Sequence, residues 1–493
     1  MKELKVEYCD ELLNIFPSFV LGVLHKLEIL RVTDCGSLEE VFEHHDQGLE
    51  TKDTCVVAFQ LKELILFRLP KLKHVWNKDP QGNISFQTLR KVKVRGCWSL
   101  KSLFPFSIAK GLPQLESLLV EESGVEEIVS KNEGLEQEIW FEFNQLSFLK
   151  LWQLTNLKCF YPGMHTTVWP VLKKLWTYCC GKIKIFGQLE SHIQQPLFLI
   201  EKVIPQLEEV SFRSDDIAMI CDGQFPSDFF CHMKLLQITC YLDESAVFPF
   251  FFLQRFYNLE VLGVIGCNFK ELSPYEGNCS EDKEVRMLSK LRKLKLDSLQ
   301  KIIHLWKQES PLGHMCASLE TLEVWRCDSL INLGASSAPF DNLISLDVWK
   351  CRGIVELITS SKVQSLVRLV TMKIRECEMM KEVVASDEDD ESTYEIIFRE
   401  LKHVELHGLP SLRSFCSGNY SFNFPSLEQV IVSECPSLKS FCRGALSTPK
   451  LERVQPKRTD YKGRWAGDLD ATIEQLYMEQ NVQISEEKTE GTI

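Results

Sequence analysis

One frame recurs along this chain and constrains its fold more than any other feature. It reads L-x-x-[LV]-x-V-x-x-C-x-x-[LI]-x-x-[LF] and is clearest in LRKVKVRGCWSLKSLF (89–104), LETLEVWRCDSLINL (319–333), LISLDVWKCRGIVEL (343–357) and LEQVIVSECPSLKSF (427–441). The same frame places Cys9, Cys35, Cys180, Cys267 and Cys377. Four copies carry leucine instead of cysteine: LKELILFRLPKLKHVW (61–76), LSFLKLWQLTNLKCF (146–160), LRKLKLDSLQKIIHLW (291–306) and LKHVELHGLPSLRSFC (401–416). Three degenerate copies centre on Val120, Phe212 and Ile238. The residue three before the Cys or Leu defines sixteen anchors: Val6, Val32, Leu66, Val94, Val120, Leu151, Thr177, Phe212, Ile238, Val264, Leu296, Val324, Val348, Ile374, Leu406 and Val432, spaced by 24 to 35 residues. Nineteen cysteines in 493 residues would put fewer than one at sixteen random positions; the frame catches nine.

The physics of such a frame is direct. L-x-V is a short strand whose two apolar residues point the same way, by the period of two. One copy cannot bury that face alone, so copies stack on their neighbours. The cysteine falls at the turn leaving the strand, where a small apolar residue with a weak S–H donor suits a buried position. It reads as core rather than as a nucleophile. Parallel strands about 4.8 Å apart then form one continuous sheet.

The frame resembles the leucine-rich repeat, L-x-x-L-x-L-x-x-N/C-x-L. The fold expected is an α/β repeat: a curved leucine-rich-repeat solenoid of about sixteen repeats, right-handed, with a parallel concave β-sheet and a short C-terminal helical cap. Cysteine at the turn, alternating with copies containing -LP-x-L-, further resembles the leucine-rich-repeat region of plant intracellular disease-resistance receptors of the coiled-coil nucleotide-binding class. LILFRLPKLKHVW, VRGCWSLKSLF and LPQLESLLVEES carry that likeness over residues 1 to about 456, and RWAGDLDATIEQLY (464–477) resembles the segment that closes such receptors. The resemblance implies recognition of pathogen effectors or guarded host proteins, and restraint of the nucleotide switch. No G-x-x-x-x-G-K-[ST] is present. The chain therefore reads as a C-terminal piece of a receptor or a truncated paralogue.

The boundaries expected are a solenoid over 1–456 and a C-terminal loop, short helix and disordered tail over 457–493. Polar and acidic insertions fall at HHDQGLETKD (44–53), KNEGLEQE (131–138), EGNCSEDKE (276–284) and SDEDDEST (386–393). GQLESHIQQPLFLIEKVIPQ (187–206) is expected to hold a helix, and the degenerate stretch 207–258 to mark a kink. Asp468 or Asp470 can cap a helix over 471–480. Residues 485–493 read as disordered. Net charge is −13, which argues against a dedicated nucleic-acid binder. No apolar run is long enough for a membrane span, and the N-terminus has no secretory pattern. The location expected is cytoplasmic.

Chemistry is sparse. His403, Glu405 and His407 alternate on one strand, but H-x-E-x-H is not a helix metal motif, and a plain exposed strand face is the stronger reading. His44, His45 and Asp46 read as loop. The run Asp387–Glu391 lacks the glycine-turned spacing of a calcium site. No enzyme, cofactor or metal site is expected. The residues flanking the inward pair should line the concave face, and two groups there have the composition of binding hot spots. One is Lys91, Lys93, Arg95, Trp152, Trp176 and Tyr178; the other is Trp325, Trp349, Lys373 and Arg375. The function expected is a non-catalytic protein-recognition module. Its partner would be a pathogen effector, a guarded host protein or the receptor's own nucleotide-binding domain. The alternative is a substrate-recruiting leucine-rich-repeat subunit of a ubiquitin ligase, which needs an F-box segment not seen here.

Overall fold

The computed structural model describes residues 2–17, 26–43, 57–77, 79–80, 84–131, 139–187, 195–199, 204, 206–243, 247–272, 289–305, 318–333, 340–386 and 395–490. Nearly all of the four acidic insertions, the run Asp387–Glu391 and the cluster at His44 lie outside these residues. The chain forms two compact units, Met1–Met233 and Lys234–Ile493. The boundary falls inside the degenerate stretch.

Each unit is a parallel solenoid. In the first, eight strands run from Glu3–Glu7 to Glu209–Phe212; in the second, nine run from Leu235–Thr239 to Val454–Gln455. Every pairing between these strands is parallel, and all but the last in each unit join anchor to anchor. Val6 lies beside Val32, then Leu66, Val94, Val120, Leu151 and Thr177 follow in turn. In the second unit Ile238, Val264, Leu296, Val324, Val348, Ile374, Leu406 and Val432 form the same ladder. Fifteen anchors are buried; Val6, in the terminal strand with one neighbour, is half-buried.

Eight of the nine frame cysteines are buried and all nine are free thiols; Cys9, in the first turn, is exposed. The cysteine closes the turn and ties it to the preceding coil. Cys180 Sγ–H donates to the Leu151 carbonyl at 3.3 Å and Cys351 Sγ–H to that of Val324 at 3.4 Å. Serine two positions on repeats the device, since Ser99, Ser329 and Ser437 donate to the carbonyls of Pro70, Gln300 and Pro410.

Among the described residues the rest of the coils holds further short strands. Short parallel ladders form there, such as Asn14–Phe16, Glu40–Phe42 and His74–Trp76, or Glu356–Thr359, Glu382–Ala385 and Ser414–Cys416. Helices are few. Within 187–206 the described part is not helical: Phe198–Leu199 is a strand paired with Phe186–Gly187. Phe186 and Phe198, in van der Waals contact, fix it in the core.

The closing helix is longer than expected, Leu469–Glu490. Asp468 is its cap, accepting the Ala471 N–H at 2.7 Å. Asp470 acts outside the helix, where its Oδ1 accepts the N–H groups of Phe441 and Cys442 and so pins the helix to the last coil. The helix extends through most of the stretch expected to be disordered, up to Glu490.

Candidate protein-binding face

Alternation along each strand leaves one row of side chains on the face opposite the core. All ten residues singled out from the sequence lie on that open face, and all are half-buried. Six belong to the first unit and four to the second.

In the first unit Trp152 stacks on Tyr178, with ring centres 4.5 Å apart and planes at 25°. Phe148 meets Trp176 edge-on at 5.2 Å. The Trp176 Nε1–H is buried without a hydrogen-bond partner. Lys150 places its ammonium 4.8 Å from the Trp152 ring centre. The strand between this aromatic group and the basic one carries Glu121, which the repeat frame alone does not single out. Its carboxylate takes Lys150 at 2.7 Å and lies 3.9 Å from Arg95. Arg95 is further held by a two-point contact to Glu122, at 3.0 Å twice. Lys91 and Lys93 alone of the basic group have no partner among the described residues. They line a groove with Lys5, Arg31, Ile65 and Phe67.

In the second unit Trp325 and Trp349 meet edge to face, 5.9 Å apart at 90°. Lys295 sits over the Trp325 ring at 3.9 Å. Burial pushes the Lys295 ammonium below the usual lysine range, against the pull of Asp297 and Glu323. Lys350 and Arg326 flank the Trp349 ring at 4.8 and 5.7 Å. The Trp349 Nε1–H donates to Glu376 at 2.8 Å. That hydrogen bond, with Lys350, holds the Glu376 carboxyl below its usual range. Trp325 Nε1 is buried without a hydrogen-bond partner. Arg375 grips Asp347 at 2.7 and 2.8 Å. Lys373 lies in the ladder between Asp347 and Glu405.

The His403, Glu405, His407 row does share the open face, but it is not a plain exposed strand. Glu405 is buried, its carboxylate held by Arg458 at 2.7 Å through both oxygens. His407 Nδ1 lies 2.7 Å from the Ser433 hydroxyl. Among the described residues no group of three His, Cys, Asp or Glu is placed to hold a metal ion. Nor is any helix among them long and apolar enough to cross a membrane.

A parallel solenoid with L-x-x-L-x-L coils and buried turn cysteines defines a leucine-rich-repeat protein. The leucine-rich repeats of plant disease resistance protein RPS2-like chains match residues 1–124, 206–338 and 332–447, and the chain belongs to that family. Comparison with curated protein sequences gives no match. Among solved structures the chain is similar to TLR13 in its ssRNA13 complex, at 12% identity and TM-score 0.42, covering 90% of this chain and 64% of TLR13. This chain thus spans less than two thirds of that chain. An internalin, InlF of Listeria monocytogenes, matches at 10% identity and TM-score 0.26, over 77% of this chain and 82% of its own. The functional domain of InlJ from Listeria monocytogenes, which includes a cysteine ladder, matches at 12% and 0.25, over 66% and 70%.

Proposed function

We propose that this chain is a non-catalytic protein-recognition module of a plant intracellular immune receptor, acting in the cytoplasm. It would sense a pathogen effector or a guarded host protein, or bind the receptor's own nucleotide-binding domain. Membership of the resistance family supports the setting. The observation that supports the surface is the pair Trp325 and Trp349, large rings left half exposed on an open sheet face and ringed by Lys295, Arg326 and Lys350. Tryptophan and arginine in such settings dominate binding energy. Lys373 and Arg375 extend this patch. Lys91, Lys93, Arg95, Trp152, Trp176 and Tyr178 form the counterpart in the first unit.

The test fuses the chain to the nucleotide-binding domain of a family member and measures the immune response or partner capture. Trp325→Ala with Trp349→Ala is expected to abolish recognition, a loss of about 2 kcal/mol or more per ring, with the circular dichroism spectrum unchanged. Charge reversal across Asp387–Glu391 is expected to be silent. The reverse pattern would move recognition to the insertions.

A further inference from the structure

Through most of the second unit's later strands the open face is half exposed. Glu323, Asp347 and Lys373 are the middle residues of three consecutive strands, and all three are partly accessible. The pattern stops at the next strand. Glu405 and Ile431 hold the same middle position in His403–His407 and Gln429–Ser433, yet they are only 6% and 8% exposed. The strand register does not distinguish these two from the three before them.

What covers Glu405 is chain from beyond the last strand. Val454 and Arg464 exchange backbone hydrogen bonds of 2.8 Å in both directions, closing residues 455–463 into a loop. Inside it Asp460 Oδ1 accepts the N–H groups of Lys462 and Gly463, at 3.0 and 3.2 Å. Gln455 donates to the Asp460 carbonyl at 3.1 Å. Gly463 sits at φ +63°, a conformation that glycine adopts without strain. From this loop Arg458 reaches back past the Gln429–Ser433 strand to Glu405. Its Nε and Nη2 each donate to a carboxylate oxygen at 2.7 Å, the two-point geometry a guanidinium makes and an ammonium does not.

The two partners differ in environment. The Glu405 side chain is 8% exposed and that of Arg458 is 58% exposed. A buried carboxylate stripped of its cation is costly, whereas an exposed cation returns to water cheaply. Arg458 therefore leaves Glu405 readily only in exchange for another cation of the same shape. We propose that residues 455–464 are an arginine-tipped latch over the last strands' open face, and that it lifts when an arginine of a protein partner takes the place of Arg458 on Glu405. This rests on the open face being the partner surface, and it names the partner's chemistry at that end of it.

The full chain is titrated by calorimetry with the capped peptides acetyl-Arg-Arg-Arg-amide and acetyl-Lys-Lys-Lys-amide. Arg458→Ala is expected to bind triarginine at least tenfold more tightly than the unaltered chain, and at least tenfold more tightly than trilysine. Glu405→Gln with Arg458→Ala is expected to erase the gain. An Arg458→Ala chain that binds no better than the parent would overturn the latch. So would a gain that survives in the double variant, or one that trilysine matches. Carbodiimide labelling gives a peptide-free readout: Glu405 should react about tenfold faster in Arg458→Ala, with Glu323 unchanged. Equal Glu405 rates in parent and variant would also overturn it. Should Arg458→Ala melt early, Arg458→Lys keeps the charge, loses the fork and is expected to show a smaller gain in triarginine binding; no gain there sinks the proposal. None of these measurements involves Trp325 or Trp349, so the latch can fail while the recognition face stands.

Discussion

Fifteen of the sixteen turns that follow an anchor use one backbone conformation. The residue two after the anchor has φ between +45° and +72°, and in twelve turns it is not glycine: Asp34, Arg68, Glu122, Gln153, Arg326, Lys350 and Glu376 are among them. Such a residue costs about 1–2 kcal/mol. The ladder offsets that cost, because the strained residue's N–H bonds the next coil. Asp34 donates to Phe67 at 3.0 Å, Gln153 to Tyr178 at 2.7 Å and Arg326 to Trp349 at 2.8 Å. This column then supplies the partners of the open face, since Arg68, Glu122, Arg326, Lys350 and Glu376 all touch the rings or charges of that face. The exception follows Phe212, where helix Ser214–Cys221 replaces the turn. Its Asp216 is 1% exposed and accepts the Arg213 N–H at 2.9 Å. Burial lifts the Asp216 carboxyl to about 6, and Asp215 adds to this; the N–H and charge of Arg213 oppose it. The folded carboxyl thus binds its proton more tightly than the unfolded one. Stability is expected to fall as pH rises from about 4 to about 6, by up to about 3 kcal/mol, and to change no further from this group above that. Urea melts across pH 4–7 check this, and Asp216→Asn should flatten the slope.

At the scale of the element, what joins the main sheet to the outer ladders is aromatic. Each coil tends to place one ring nine or ten residues after its anchor and another three before the next leucine, as in Phe415 and Phe424 or Trp76 and Phe86. Stacked coils bring these rings into register. Phe415 lies 4.5 Å from Phe441, Phe398 5.1 Å from Phe424 and Phe59 5.0 Å from Phe86, each pair stacked with nearly parallel planes. The spacing follows the strand repeat of about 4.8 Å. The [LI]-x-x-[LF] tail of the frame was visible in the sequence, but a short apolar tail does not reveal that rings will stack across coils. Phe415→Ala is expected to cost about 3–5 kcal/mol, measured by chemical denaturation. Phe148→Ala, on the open face, should cost well under half of that.

At the scale of the whole molecule, the coils of each unit pack mainly on the coils beside them, with Ser360–Tyr420 and Arg458–Glu405 reaching one coil further, so energetic effects decay along each array. The first unit and the second each contain their own ladder and their own aromatic core. Hydrogen exchange in Phe415→Ala is expected to accelerate in the coils around 370–455. Protection across Val32, Leu66 and Val94 should stay within twofold of the parent. Loss of protection along the entire chain would show that the array unfolds as one body.

The sequence by itself determined the ladder. Period-two alternation and a recurring cysteine fix which residue of each strand faces inward, and the observed anchor-to-anchor register follows because a slip of one residue would turn every apolar side chain outward. The same alternation placed Lys91, Lys93, Arg95, Trp152, Trp176, Tyr178, Trp325, Trp349, Lys373 and Arg375 on the open face. Their state was decided only in three dimensions. Glu121 quenches part of the basic group because a degenerate copy between two clear ones still forms its strand. Lys295 covers Trp325 from the adjacent coil. Arg458 meets Glu405 across 53 residues of chain, by a loop whose path no periodicity encodes. Local pattern fixes which way a side chain points, whereas its partner depends on how far the neighbouring coils and loops carry theirs.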